Sequence, residues 1–142
     1  MNIINTALSV VIILVLIAIS YSDFRFRRIP NKLVVAVAIL SICYSLFANH
    51  SIQILFPLIV LIIGMIISPW NVIGAGDIKL IVALLFSLAS SENAIFLIMT
   101  ALCGLPLSAG ILLYNQLANE KIKTVPYGIA IAAGYVMTLI VS

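Results

Sequence analysis

The sequence predicts an all-α polytopic membrane protein of six transmembrane helices with both termini on the outer side, and three observations predict it. Of 142 residues, 65% are hydrophobic and only 8% charged, against roughly 45–50% apolar and about 25% charged residues in soluble domains. The apolar residues gather into six runs, 3–20, 32–48, 52–68, 78–91, 94–114 and 127–141. All seven Lys and Arg residues fall in, or at the edge of, loops that alternate along the chain. Most runs approach the roughly 17–25 residues that cross a hydrocarbon core of about 30 Å, where unpaired amides make helices obligatory.

The first run opens on Met1-Asn2-Ile3, without Lys or Arg, and no small-residue cleavage site closes it. It therefore reads as a retained helix and not as a signal peptide. Arg25, Arg27, Arg28 and Lys32 follow, with Pro30 suited to the first turn of the second helix, where a missing N–H costs nothing. Asn31 is placed to cap or hydrogen-bond locally. Pro57 and Gly64 predict bends in the third helix, as Gly104, Pro106 and Gly110 do in the fifth.

Between the third and fourth runs, Pro69-Trp70-Asn71-Val72-Ile73-Gly74-Ala75-Gly76 reads as irregular backbone at membrane depth, which requires protein cover or water. The fourth run is short: about 14 residues cover roughly 21 Å at 1.5 Å each. Before the sixth run stands Pro126-Tyr127-Gly128, and Ala130 with Gly134 forms a small-xxx-small face for close helix contact.

The loops also give orientation. Basic residues follow runs one, three (Lys79) and five (Lys121, Lys123), whereas Asn49-His50-Ser51 and Ser90-Ser91-Glu92-Asn93 carry none. The positive-inside rule places the basic loops in the cytoplasm. The net charge of +3 is explained in the same way, so nucleic-acid binding is not indicated. Cys43 and Cys103 lie within apolar runs and read as small core residues. His50 reads as solvated, Glu92 as an outer loop or helix cap, and Glu120 beside Lys121 as part of a solvated loop; none makes a metal cluster. One membrane domain spans 1–142.

Asp23 and Asp77 are the only acidic residues that abut the apolar runs on the basic side. A carboxylate at a membrane boundary is expensive and marks a functional-site candidate. The topology brings both to one face, and they can meet if helices one and four pack together. Such a pair cleaves an amide by sharing one proton, one member activating water while the other donates to the carbonyl oxygen. Plainer roles also exist. Asp23 could balance Arg25 or Arg27, Asp77 could cap helix four, and Gly74 and Gly76 could permit a turn with positive φ. Lys79, about 200° around the helix from Asp77, suits lipid phosphate.

Asp23 followed after five residues by Ile29-Pro30-Asn31, then Gly74-Ala75-Gly76-Asp77-Ile78-Lys79-Leu80, then Pro126-Tyr127-Gly128 before a small-residue helix, resemble the type IV prepilin peptidases, membrane aspartic proteases of the GxGD class. The resemblance implies a catalytic pair of Asp23 and Asp77 and an active-site loop of Gly74, Ala75 and Gly76. Lys79, Pro30, Asn31, Pro126, Tyr127 and Gly128 would shape the site or meet substrate. It implies no cofactor and no metal.

The implied substrate is the N-terminal segment of a prepilin or pseudopilin, cut just before its hydrophobic helix, with the helix beside the enzyme in the lipid bilayer. The implied location is the bacterial inner membrane, with the site at its cytoplasmic face. Larger family members carry a cytoplasmic insertion after helix one and methylate the new N-terminus. Here about eleven residues separate the first two runs, and Ile129 replaces a second proline, so the short peptidases of Tad/Flp-type pilus systems are the better likeness. Two rival readings are a small proton-coupled transporter or channel and a non-catalytic pilus or secretion assembly subunit.

Overall fold

A computed structural model describes residues 3–48, 52–70, 73–118 and 125–141. Within them the chain is all-helical: α1 (Ile3–Phe26), α2 (Asn31–Phe47), α3 (Leu55–Ile67) with a 3₁₀ turn at Ser68–Trp70, α4 (Ala75–Leu85), α5 (Ser90–Ala118) and α6 (Tyr127–Val141). The six apolar runs thus become six helices. His50, Glu120, Lys121 and Lys123 lie outside the described residues, as do Asn71 and Val72 of the segment before α4.

Two helices, Ile3–Phe26 and Ser90–Leu117, are long and apolar enough to cross a membrane, and Asn31–Phe47, Leu55–Trp70 and Tyr127–Val141 are shorter apolar helices. Their outward faces carry large hydrophobic side chains, among them Leu14, Ile17, Ile39, Met65, Ile66, Leu105 and Leu112, all more than half exposed. Contiguous apolar exteriors of this extent are foreign to water-soluble monomers. Such a surface suits a protein solvated by hydrocarbon. Near the basic end of α1, Arg25 Nη1 donates to the exposed Tyr21 hydroxyl at 3.1 Å and its guanidinium lies 5.7 Å from the centre of the Phe26 ring. That grouping of aromatics and cation suits a membrane–water boundary.

α1 extends past the first apolar run because Tyr21-Ser22-Asp23-Phe24-Arg25-Phe26 contains no Gly or Pro to stop it. It ends where Arg27 turns left-handed, at φ 52, and returns its N–H to the Asp23 carbonyl at 2.9 Å. This is the single-bond left-handed helix stop usually built on glycine. Ser22 Oγ donates to the Arg28 carbonyl at 3.1 Å and holds the turn. Pro30 then stands just before α2, extended at φ −66 and ψ 125, as its N-cap. Its carbonyl accepts from Leu33 and Val34.

α4 is the inner helix of the bundle. Ile78, Leu80, Val82, Ala83, Leu84 and Leu85 are buried, and α2, α3 and α6 pack around it. Its 11 residues make it shorter than the sequence suggests, about 16 Å at 1.5 Å per residue. At its far end, Ser87 Oγ donates to the Leu84 carbonyl at 2.7 Å and lies 3.0 Å from the Tyr135 hydroxyl. Phe96 meets the Tyr135 ring edge to face, with centroids 6.1 Å apart. These contacts join α4, α5 and α6 at the end opposite the aspartates.

α5 begins at Ser90 because Glu92 Oε2 accepts the Ala89 N–H at 3.0 Å, the returning half of a capping box. It remains one helix through Pro106. The small face expected on α6 packs against α5: a Cβ added at Gly134 would lie 2.7 Å from the Thr100 backbone, and Ala130 lies beside Gly104.

Candidate active site

Asp23 occupies the last turns of α1 and is only 6% exposed. Its Oδ2 accepts the Gly128 N–H at 2.8 Å. Gly128 is the second residue of α6, so its N–H is one of the donors that a helix leaves without an internal acceptor. The Asp23 carboxylate therefore caps α6 from another helix, and the positive end of α6 favours its charge. Ser20, one helical turn earlier, donates to the Gly128 carbonyl at 3.4 Å. Residues three apart on a helix share a face, so Ser20 and Asp23 hold Gly128 by its two flanking peptide groups, one through the C=O and one through the N–H.

Asp77 stands in the first turn of α4, three residues after the N-cap, Gly74. The cap is Gly74 and not Asp77. Asp77 reaches back to accept the Gly74 N–H, which places its carboxylate over the mouth of the helix. Asp23 and Asp77 lie near enough for their charges to act on one another.

Extensive packing of α1 on α4 is not what brings them together. α2 and α6 each pack against both helices and carry them into register. Packing preference explains this: α4 buries six of its 11 residues and lies among α2, α3 and α6, while α1 keeps an exposed apolar face.

The motif glycines act through space and not through φ. No described glycine has positive φ; Gly74 is extended at φ −66 and ψ 140. A Cβ on Gly74 would come within 2.8 Å of Asp77 Oδ2, one on Gly128 within 2.9 Å of Asp23 Oδ2, and one on Gly76 within 3.3 Å of Ile29 Cβ. Two of the three glycines clear room for the two carboxylates. The third lets the Ile29-Pro30-Asn31 turn close over the start of α4.

The remaining candidates are arranged less tightly. Pro126 is buried, and the Tyr127 hydroxyl lies 3.4 Å from Ser108 Oγ on α5. Ala75 opens α4 and is exposed, as are Pro30, Asn31 and Lys79. Ser20 is a residue the motifs did not single out, and it had a signal, its i,i+3 spacing from Asp23. No group of three or more His, Cys, Asp or Glu side chains gathers among the described residues.

The fold and the site define an all-helical protein with an apolar exterior and two carboxylates held by glycine amides at helix N-termini. A family model described as the type IV leader peptidase family matches residues 10–109, and the chain belongs to that family. It is thus a member of a peptidase family. The matched span contains Asp23 and the tetrad Gly74-Ala75-Gly76-Asp77 and stops short of Tyr127-Gly128, so the clasp of Gly128 on Asp23 comes from the structure. No curated protein and no solved structure matches the chain.

Proposed function

We propose that the protein is a membrane aspartic endopeptidase that removes the leader of type IV prepilin-like substrates, with Asp23 and Asp77 as its catalytic pair. The observation that carries this reading is that two carboxylates 54 positions apart in sequence lie within electrostatic reach, each held by a glycine amide at a helix start. One carboxylate, ionised, takes a proton from water as the water oxygen bonds to the scissile carbonyl carbon. The other, protonated, donates to the carbonyl oxygen. As the C–N bond breaks, a proton passes to the leaving amine. The proton inventory of the pair is restored after each turnover.

The proposal includes six membrane-crossing segments in the inner membrane, both termini outside and the aspartates at the cytoplasmic face. The support is the single-sided placement of the basic residues. Only residues 27–30 separate α1 from α2, which leaves no room there for an inserted domain. A peptidase without N-methylation, of the Tad/Flp type, fits that geometry.

The test is cleavage of a reconstituted prepilin by the parent and by folded Asp23→Asn and Asp77→Asn variants. The reading expects product from the parent alone. Variants that cut as fast as the parent would end it. Proton flux through liposomes that either substitution abolishes, without cleavage by the parent, would favour a transporter.

A further inference from the structure

Between α1 and α6 runs an open apolar groove of about 340 Å³. Leu16 forms its floor at 1% exposure, and Ile17 and Met137 form exposed rims. Ala133 and Ile129 complete the α6 wall, and Ser20 is the one polar side chain in the lining. Ser20 also marks where the groove ends. Its hydroxyl bonds the carbonyl of Gly128, whose amide bonds Asp23.

We infer that this groove seats the hydrophobic helix of the substrate immediately downstream of the scissile bond. The inference rests on the peptidase reading and adds the place where the substrate helix is held. Cleavage just before an apolar helix requires that helix to begin beside the carboxylates and continue into the membrane. α1 runs toward Asp23 and α6 runs away from Gly128, so the groove leads from the candidate site into the bundle's apolar flank. From Ser20 to Asp23 is three residues, about 4.5 Å of helix rise.

The dimensions suit one face of a helix. The α1 wall from Ile13 to Ser20 covers about 10 Å, or two turns, which accepts side chains at i, i+3 or i+4, and i+7 of a partner. Alanine on the α6 wall allows the close backbone approach by which helices associate in lipid, where hydrophobicity alone supplies no drive. Other exposed apolar faces, such as Leu112 on α5 or Ile62 and Ile66 on α3, do not line this groove.

Two measurements test the groove. In a chain with Cys43 and Cys103 replaced by Ala and Asp77→Asn added to prevent turnover, Ala133→Cys is oxidised in proteoliposomes beside a prepilin bearing one cysteine in its apolar helix. A substrate adduct is expected at Ala133→Cys and not at Leu112→Cys. In the active enzyme, Ala133→Leu and the rim variant Met137→Trp fill the groove. The preference in kcat/KM for full-length prepilin over a leader peptide lacking the helix should fall about tenfold, the scale of roughly 1.4 kcal/mol of lost packing.

Adducts at Leu112→Cys alone, enzyme dimers at Ala133→Cys without substrate adducts, or an unchanged preference in both filled variants would each overturn the inference. The last result would leave the groove to lipid chains. A parent enzyme that cuts prepilin while the groove tests fail keeps the peptidase reading and loses only the groove. Adducts at Ala133→Cys with a parent that cuts nothing would show the reverse.

Discussion

The Asp23 carboxylate accepts the Gly128 amide hydrogen at 2.8 Å, across 105 residues of chain. One bond thus fixes a proposed catalytic group and caps α6. Gly128→Ala tests the pairing, because the new Cβ would stand 2.9 Å from Oδ2 and 3.1 Å from the Asp23 Cβ. Either the carboxylate or α6 must shift. Misplacement on the order of 1 Å costs about 100-fold in rate, and a lost bond to a charged group removes about 1.5–3 kcal/mol. Steady-state cleavage should show kcat falling with KM little changed, and the melting temperature should drop.

Gly74→Ala separates space from backbone freedom. At φ −66 and ψ 140 an alanine fits the backbone without strain. Its Cβ, however, would meet Asp77 Oδ2 at 2.8 Å. Thermal stability should therefore hold within about 0.5 kcal/mol, the range of benign substitutions, while kcat falls at least about tenfold. Loss of stability with normal kcat would instead assign Gly74 a purely structural part.

Asp23→Asn and Asp77→Asn should each reduce cleavage by about 100- to 10,000-fold, the usual contribution of an acid/base group. The double variant should be hardly slower than either single one, since groups acting as a unit are not additive. Asparagine keeps an oxygen that can accept the Gly128 or Gly74 N–H, so both variants should still fold. Near-additive losses on the logarithmic scale would argue that the two carboxylates act independently.

Much of this arrangement is legible in the chain because hydrophobic runs report helices whatever their neighbours. All six helices fall on predicted runs, and Glu92 caps α5 within the range allowed to it. Helix ends are less legible: α1 continues to Phe26 because only the left-handed turn at Arg27 stops it, and no Gly or Pro announces that turn. That Asp23 and Asp77 come to one end of the bundle follows from the alternation of the helices along the chain. Their route to each other, through α2 and α6, depends on which faces pack, and the sequence does not encode that locally. Positive φ, the plainer reading of the tetrad glycines, is not what they supply; the missing Cβ of Gly74 clears Asp77 and that of Gly76 clears Ile29, contacts visible only with both partners in place.

Arg27→Gly should stabilise the fold modestly. A left-handed conformation costs a non-glycine residue roughly 1–2 kcal/mol, and glycine recovers that less about 0.5–1 kcal/mol of added chain entropy. A net gain of up to about 1 kcal/mol should raise the melting temperature in detergent by a few degrees. The substitution also removes a positive charge that acts on Asp23, so the variant's pH–activity profile should differ from the parent's. A more stable variant with an unaltered profile would show that Arg27 serves the turn alone.

The α5–α6 contact offers a matched pair of glycines. A Cβ at Gly134 would lie 2.5 Å from Thr100 Oγ1 and 2.7 Å from both Thr100 N and Cα. Backbone cannot swing aside as a side chain can, so Gly134→Ala must separate the helices. Overpacking of this kind costs about 1–3 kcal/mol. Gly110 lies in the same helix as Thr100, yet a Cβ there meets nothing within 4 Å. Gly110→Ala should therefore gain about 0.5–1 kcal/mol from helix propensity and chain entropy. Reversible unfolding in mixed micelles should show shifts of opposite sign. Gly134→Ala should also slow cleavage, because displacing α6 carries Gly128 away from Asp23, whereas Gly110→Ala lies outside that path.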